Sequence, residues 1–228
     1  MVHFTLFGIP VYIRPSFWVV LAIFGGALSI SSVEDLIYPA LFVIAGFVAI
    51  LSHEMGHALV GRKLGGGQQT IVLELFGGLT SSHGMQLTRG GRALMILAGP
   101  MMTLLLGIIS LWLTWNIVAP VMTSYNLNFW DLAISPFTAA LISPKLYILS
   151  CLIMIGEWWT ILNLLPIYPL DGGQLIAQYI RSPRKVFMTG FITAILIGLL
   201  SFQLFHGYFI PIFMALFAYS NYREYKNA

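Results

Sequence analysis

The stretch that decides the fold is AILSHEMGHALVGRKLGG, Ala49 to Gly66. Apolar residues run through it as they would in a membrane-spanning helix, yet His53, Glu54 and His57 interrupt them. A charged side chain near the middle of a transmembrane helix costs roughly 2.5–3.5 kcal/mol. Three polar groups on one turn therefore imply a function that needs them, provided the surroundings are membrane.

Composition meets that condition. The 228 residues are 58% hydrophobic and 8% charged, with a mean hydropathy of +0.88. A soluble domain averages about 25% charged residues. The chain reads as an α-helical integral membrane protein, and no polar stretch is long enough to form a soluble domain. One cysteine, Cys151, excludes an intrachain disulfide. The net charge of +3 reflects topology and does not suggest nucleic-acid binding. Residues 1–15 hold Pro10, Arg14 and Pro15 and no separate apolar run, so no cleavable signal peptide is expected before the first span.

At about 20 residues per span, the pattern predicts about six transmembrane helices, near 16–32, 36–60, 93–118, 146–165, 186–205 and 208–222. Together they make one transmembrane domain over 1–228. With both termini inside, ten of the eleven basic residues fall on one face, and only Lys145 lies opposite, beside Glu34, Asp35 and Asp131. That is the positive-inside bias, so the basic face is cytoplasmic. The expected location is the plasma membrane of a prokaryote.

Two segments break the helical pattern. VHFTLFGIPVYI, residues 2–13, alternates around a Gly-Ile-Pro break and predicts a strand or hairpin. GQQTIVLELFGGLTSSHGMQLT, residues 67–88, is β-branched around Gly77-Gly78 and predicts a small membrane-associated β-sheet on the cytoplasmic side. Residues 119–145, with Trp130, Pro136 and Pro144, read as an outer loop lying along the interface.

His53-Glu54-Met55-Gly56-His57 is an H-E-x-x-H motif. On a helix the two histidines sit about 40° apart, one turn above the other. They can share one tetrahedral Zn²⁺, while the adjacent carboxylate reaches water as a general base. With five His and five Glu in the chain, the motif arises by chance with a frequency of roughly 0.2%. A polar patch bonded to neighbouring helices is the competing reading, but three such groups on one turn at lipid depth disfavour it.

Zinc needs a third protein ligand. His83 lies in a Ser-Ser-His-Gly turn and is expected to face water, and Glu74 is expected to point outward from the sheet. Glu157 is expected to be buried in the fourth span, as a ligand, a gate or a helix–helix contact. Asp171, in NLLPIYPLDGGQL at 163–175, is the better candidate. Pro166 and Pro169 must break the fourth helix there, and Gly172-Gly173 allows a close turn. Non-helical backbone at membrane depth is tolerated when it is buried in protein or lines a wet cavity.

HEMGH followed, over a hundred residues later, by N-x-x-P-x-x-P-L-D-G-G resembles the site-2 protease family of intramembrane zinc metalloproteases. FGIPVYIRPSF at 7–17, LFGGLT at 75–80 and LAGP at 97–100 are similar to other signatures of that family. The resemblance implies one Zn²⁺ per chain held by His53, His57 and Asp171, with Glu54 activating water and Asn163 holding substrate or its oxyanion. One departure is Thr103, where the family often has Asn. The PDZ and CBS domains of many relatives have no counterpart, which implies a minimal catalytic core.

The expected substrate is a single-span membrane protein within the lipid bilayer, cleaved in or near its membrane segment. A substrate helix must unwind before attack, and a strand edge near the metal would hold it by β-addition. The segment Ile71–Thr80 is the candidate clamp, with Leu73, Leu75, Phe76 and Gly77 central to it; a sheet that only covers the site is the alternative. A metal or ion transporter using the same residues is the competing function, but duplicated halves and a site open to both faces are not evident.

Overall fold

The computed structural model describes residues 1–75, 77–84, 86–120 and 128–228. The chain divides into two units, Met1–Thr160 and Ile161–Ala228.

The N-terminal unit opens with a hairpin, β1 (Val2–Leu6) and β2 (Ile9–Ile13), turned at Phe7 and Gly8, both with positive φ. Helix α1 (Pro15–Phe24) begins on Pro15, whose fixed φ suits a first helical turn. Gly25 and Gly26 end it, Gly26 in the left-handed region at φ 88°. The long helix α2 (Ile37–Gly65) follows, then β3 (Gln68–Glu74) and β4 (Gly77–His83). The sheet order is β1-β2-β3-β4, antiparallel except for the parallel pair β2–β3. A parallel pair needs a crossover connection, and α1 with α2 supplies it.

Alternation along the strands explains which face is buried. Ile9, Val11 and Ile13 of β2 and Ile71 and Leu73 of β3 point to one side, where they meet Phe17 and Leu21 of α1 and Ile50, Met55 and Ala58 of α2. Fully burying such a side chain is worth about 1.5–3 kcal/mol. The sheet is thus welded to the turn of α2 that carries the H-E-x-x-H motif.

Helix α3 (Arg89–Val118) is capped by Thr88, whose hydroxyl accepts from the Gly91 N–H at 3.1 Å. Gly56 of α2 faces the Ala98 carbonyl of α3 so closely that a Cβ would collide with it. Thr103, the residue that departs from the family pattern, is buried and paired with Thr160 at 2.8 Å, and it donates to the Pro100 carbonyl at 3.0 Å. It therefore ties α3 to α6 (Pro144–Leu164) in its own way.

The connection before α6 is partly helical. Of its described residues, Phe129–Ile134 and Pro136–Ala140 form short helices α4 and α5, with Phe129, Leu132, Ala133 and Ala139 buried. Ser150 of α6 donates to the Ala133 carbonyl at 3.0 Å, and Tyr38 of α2 donates to Ala140 at 3.1 Å.

The C-terminal unit begins within α6. After Leu164 the chain turns through Pro166 and Pro169 into α7 (Asp171–Ala177), then α8 (Pro183–Phe205) and α9 (Phe209–Asn227). Ile167 packs with Ala194, Met214 and Ala218 in this unit's core. Asn221 of α9 donates from Nδ2 to the Tyr168 carbonyl at 2.6 Å, and Gln174 donates to Pro169 at 2.9 Å. Gly190 of α8 gives Asn221 its space, since a Cβ there would collide with the amide.

Among the described residues, four helices are long and apolar enough to cross a membrane: α2 with its preceding turn, α3, α6 and α8. Helix α1 is apolar but has 10 residues, about 15 Å against a hydrocarbon core of about 30 Å. The predicted sixth span lies in α9, whose last turns, SNYREYKN, are polar.

Candidate metal centre

Residues 53 to 58 of α2 are buried on every side of the helix. The polar turn therefore sits in protein, which answers the cost of placing it at lipid depth. The sheet covers one side through Met55 and Ala58, and α3 covers another at Gly99.

His57 Nδ1 lies 2.8 Å from the Met95 carbonyl of α3. A carbonyl only accepts, so Nδ1 carries the proton and Nε2 keeps its lone pair. That lone pair faces His53, with the two Nε2 atoms 3.0 Å apart and the rings at 80° to each other. Nitrogens sharing one tetrahedral ion at zinc–nitrogen distances of about 2.0–2.1 Å stand about 3.3 Å apart, so the pair fits within a few tenths of an ångström. Gly99 is the reason the pair has room. A Cβ there would collide with His57 Nε2 and come within 2.9 Å of His53 Nε2. Trp159 sets its ring edge-on to His53, with centroids 6.5 Å apart.

The Glu54 side chain reaches β4. Thr80 donates from Oγ1 to Glu54 Oε2 at 2.7 Å, and the same hydroxyl lies 3.1 Å from the Glu54 main-chain carbonyl. Gly78, two residues earlier on β4, leaves the space that the Glu54 side chain fills; a Cβ would collide with it.

In the C-terminal unit Asp171 is buried as the first residue of α7, and Asn163 is buried in the last turn of α6. Gly172 and Gly173 face the main chain of Leu164 and Ile167 too closely for any Cβ, which sets Asp171 in a tight bend. Asp171 is the buried carboxylate among the third-ligand candidates. The other third-ligand candidates stand differently. His83 is exposed, and Glu74 pairs with Arg14 at 2.8 Å. Glu157 is exposed and not buried as its place in an apolar span suggested. It follows Gly156, which packs on α3, and the helical turn puts Glu157 and Trp158 off that face.

The clamp expectation needs a correction. β3 runs between β2 and β4, with Leu73 opposite both Ile13 and Gly78 and its carbonyl accepting from Arg14 at 2.9 Å. Both edges of β3 are occupied, so Leu73 offers nothing to an added strand. Leu75 is in the exposed turn, Phe76 lies outside the described residues, and Gly77 begins β4, an edge strand. Sequence reasoning missed Thr80, Gly78 and Met95 as neighbours of the motif. LFGGLT and LAGP contain or adjoin them, but nothing local says which helix they touch.

The sequence profile of Peptidase family M50 matches residues 41–205. A zinc metalloprotease of Methanocaldococcus jannaschii is 29% identical over 227 residues, covering 95% of this chain and 57% of its own length. A relative from Synechocystis sp. is 28% identical over 188 residues, covering 77% of this chain and 43% of its own. The chain thus spans about half the length of these relatives. A solved structure, a site-2 protease from Methanocaldococcus jannaschii, shares the fold at a TM-score of 0.61 and 24% identity, over 98% of this chain and 94% of that one.

Proposed function

The chain belongs to Peptidase family M50, and from that membership we propose that it is an intramembrane zinc metalloprotease. Its substrates are single-span membrane proteins, cut in or near the membrane segment. The observation that carries this reading is the His53–His57 pair: two Nε2 atoms 3.0 Å apart, one imidazole locked by Met95, buried on a membrane-length helix beside Glu54.

In this reading His53, His57 and Asp171 hold one Zn²⁺. When bound there, zinc would supply Lewis acidity to the scissile carbonyl and lower the pKa of water from about 15.7 towards about 7. Glu54 takes the proton from the attacking water and returns it to the leaving amine. Asn163 offers its amide N–H to the substrate carbonyl as negative charge develops there. The outer edge of β4, which starts at Gly77, holds the unwound substrate by strand addition. The full topology has six spans, the first over residues 16–32 and the last within α9, with both termini cytoplasmic in a plasma membrane.

The test is cleavage of single-span reporters by purified protein in lipid bilayers, with the products sequenced. Wild type is expected to cut within or beside the reporter's apolar segment, to stop on chelation and to resume with zinc. Zinc-loaded protein that leaves every reporter intact, or cleavage indifferent to chelation, would overturn the proposal.

A further inference from the structure

The Glu54 carboxylate is held by a strand, not by its own helix. Thr80 Oγ1 lies 2.7 Å from Glu54 Oε2, near the 2.5–2.7 Å range of about the strongest O–H···O⁻ bonds. The contact joins residues 26 apart in sequence. It exists because Thr80 pairs with Ile71 in the β3–β4 ladder while Ile71 is packed on α2. Gly78 leaves the space that the carboxylate arm fills, since a Cβ there would collide with it.

We infer that Thr80 is a positioning residue for Glu54, its hydroxyl fixing the carboxylate arm of the general base against β4. Thr80 Oγ1 lies 2.7 Å from Glu54 Oε2 and 3.1 Å from the Glu54 main-chain carbonyl, so one hydroxyl ties the carboxylate arm to both β4 and its own backbone. An arm held in this way needs no reordering before it meets water. Because Thr80 lies on β4, the edge strand proposed for substrate, the base is set by the same element that receives the peptide. This inference rests on the protease reading for its catalytic consequence, but not for the contact itself.

Thr80→Val keeps the shape and the β-propensity and removes the hydroxyl; Thr80→Ser keeps the hydroxyl; Thr80→Ala is a second hydroxyl-free variant should Val disturb the strand. With zinc content and thermal stability measured in parallel, Val and Ala should lower kcat by roughly ten- to a hundredfold with KM unchanged. Ser should restore most of it. Equal kcat in Val and wild type, a change confined to KM, or a Ser variant as slow as Val would each overturn the inference. An activity-free arm separates this from the protease proposal. In zinc-free protein, the infrared carboxylate band that vanishes in Glu54→Gln should shift in Thr80→Val and return in Thr80→Ser. An unmoved band overturns the positioning role even if the wild type cleaves; a shifted band supports it even if no reporter is cut.

Discussion

At the scale of single residues, one turn of α2 separates binding from chemistry. His53 and His57 share a helical face and offer nitrogen lone pairs, whereas Glu54 lies about 100° round the helix from His53 and is held by Thr80. Replacing His53, His57 or Asp171 by Ala should lower the zinc bound by purified protein, read by elemental analysis. A full complement in Asp171→Ala would remove that residue from the ligand set. Glu54→Gln preserves shape but cannot take up a proton, so zinc should stay while turnover falls by roughly a hundredfold or more. Substantial residual cleavage would mean that another base operates. The histidines and Glu54 were legible from spacing alone, because a helix repeats its faces regularly. Thr80 was not, since its contact with Glu54 depends on how a strand lies against a helix.

Secondary-structure elements bring these residues to bear on one another. α3 approaches α2 through Gly56 opposite Ala98 and through Gly99 opposite the imidazoles. Gly99→Ala should therefore push the His pair aside, weaken zinc binding and destabilise the fold by about 1–3 kcal/mol through overpacking. Calorimetry and zinc titration read the two effects, and unchanged zinc affinity would argue against so close an approach. On β4, successive residues alternate in which side their N–H faces. Of Ser81→Pro and Ser82→Pro, one should break the β3–β4 ladder and lower thermal stability. The other should fold, hold zinc and lose cleavage of a membrane-spanning reporter, because it removes a donor from the outer edge. If both folded and cleaved normally, β4 would not be the substrate's strand. The hairpins at 2–13 and 67–88 could be anticipated from alternation. Which strand is interior could not, because order in a sheet is a choice among partners that look alike in sequence.

For the whole molecule, charge bias and span count decide orientation. Cysteines placed near Lys145 and near Arg184, after removal of Cys151, are expected to react from opposite faces of intact cells with a membrane-impermeant thiol reagent. Reaction of both from outside would sink the six-span topology. The two positions flank α6, so the experiment reads whether that helix crosses and which of its ends is outside.

What the amino-acid sequence determined by itself is the chemistry and its setting. Low charge and long apolar runs require a membrane, the spacing HEMGH requires two imidazoles on one face, and Pro166, Pro169 and the Gly172-Gly173 pair require a bend before α7. These follow from local geometry and solvation, which each residue carries with it. Only the tertiary structure decided that β2 pairs in parallel with β3, that Met95 sets the His57 tautomer, that Glu157 is exposed and that Thr80 holds Glu54. Each joins or separates groups distant in sequence, and such contacts depend on register and close packing, which no short stretch encodes.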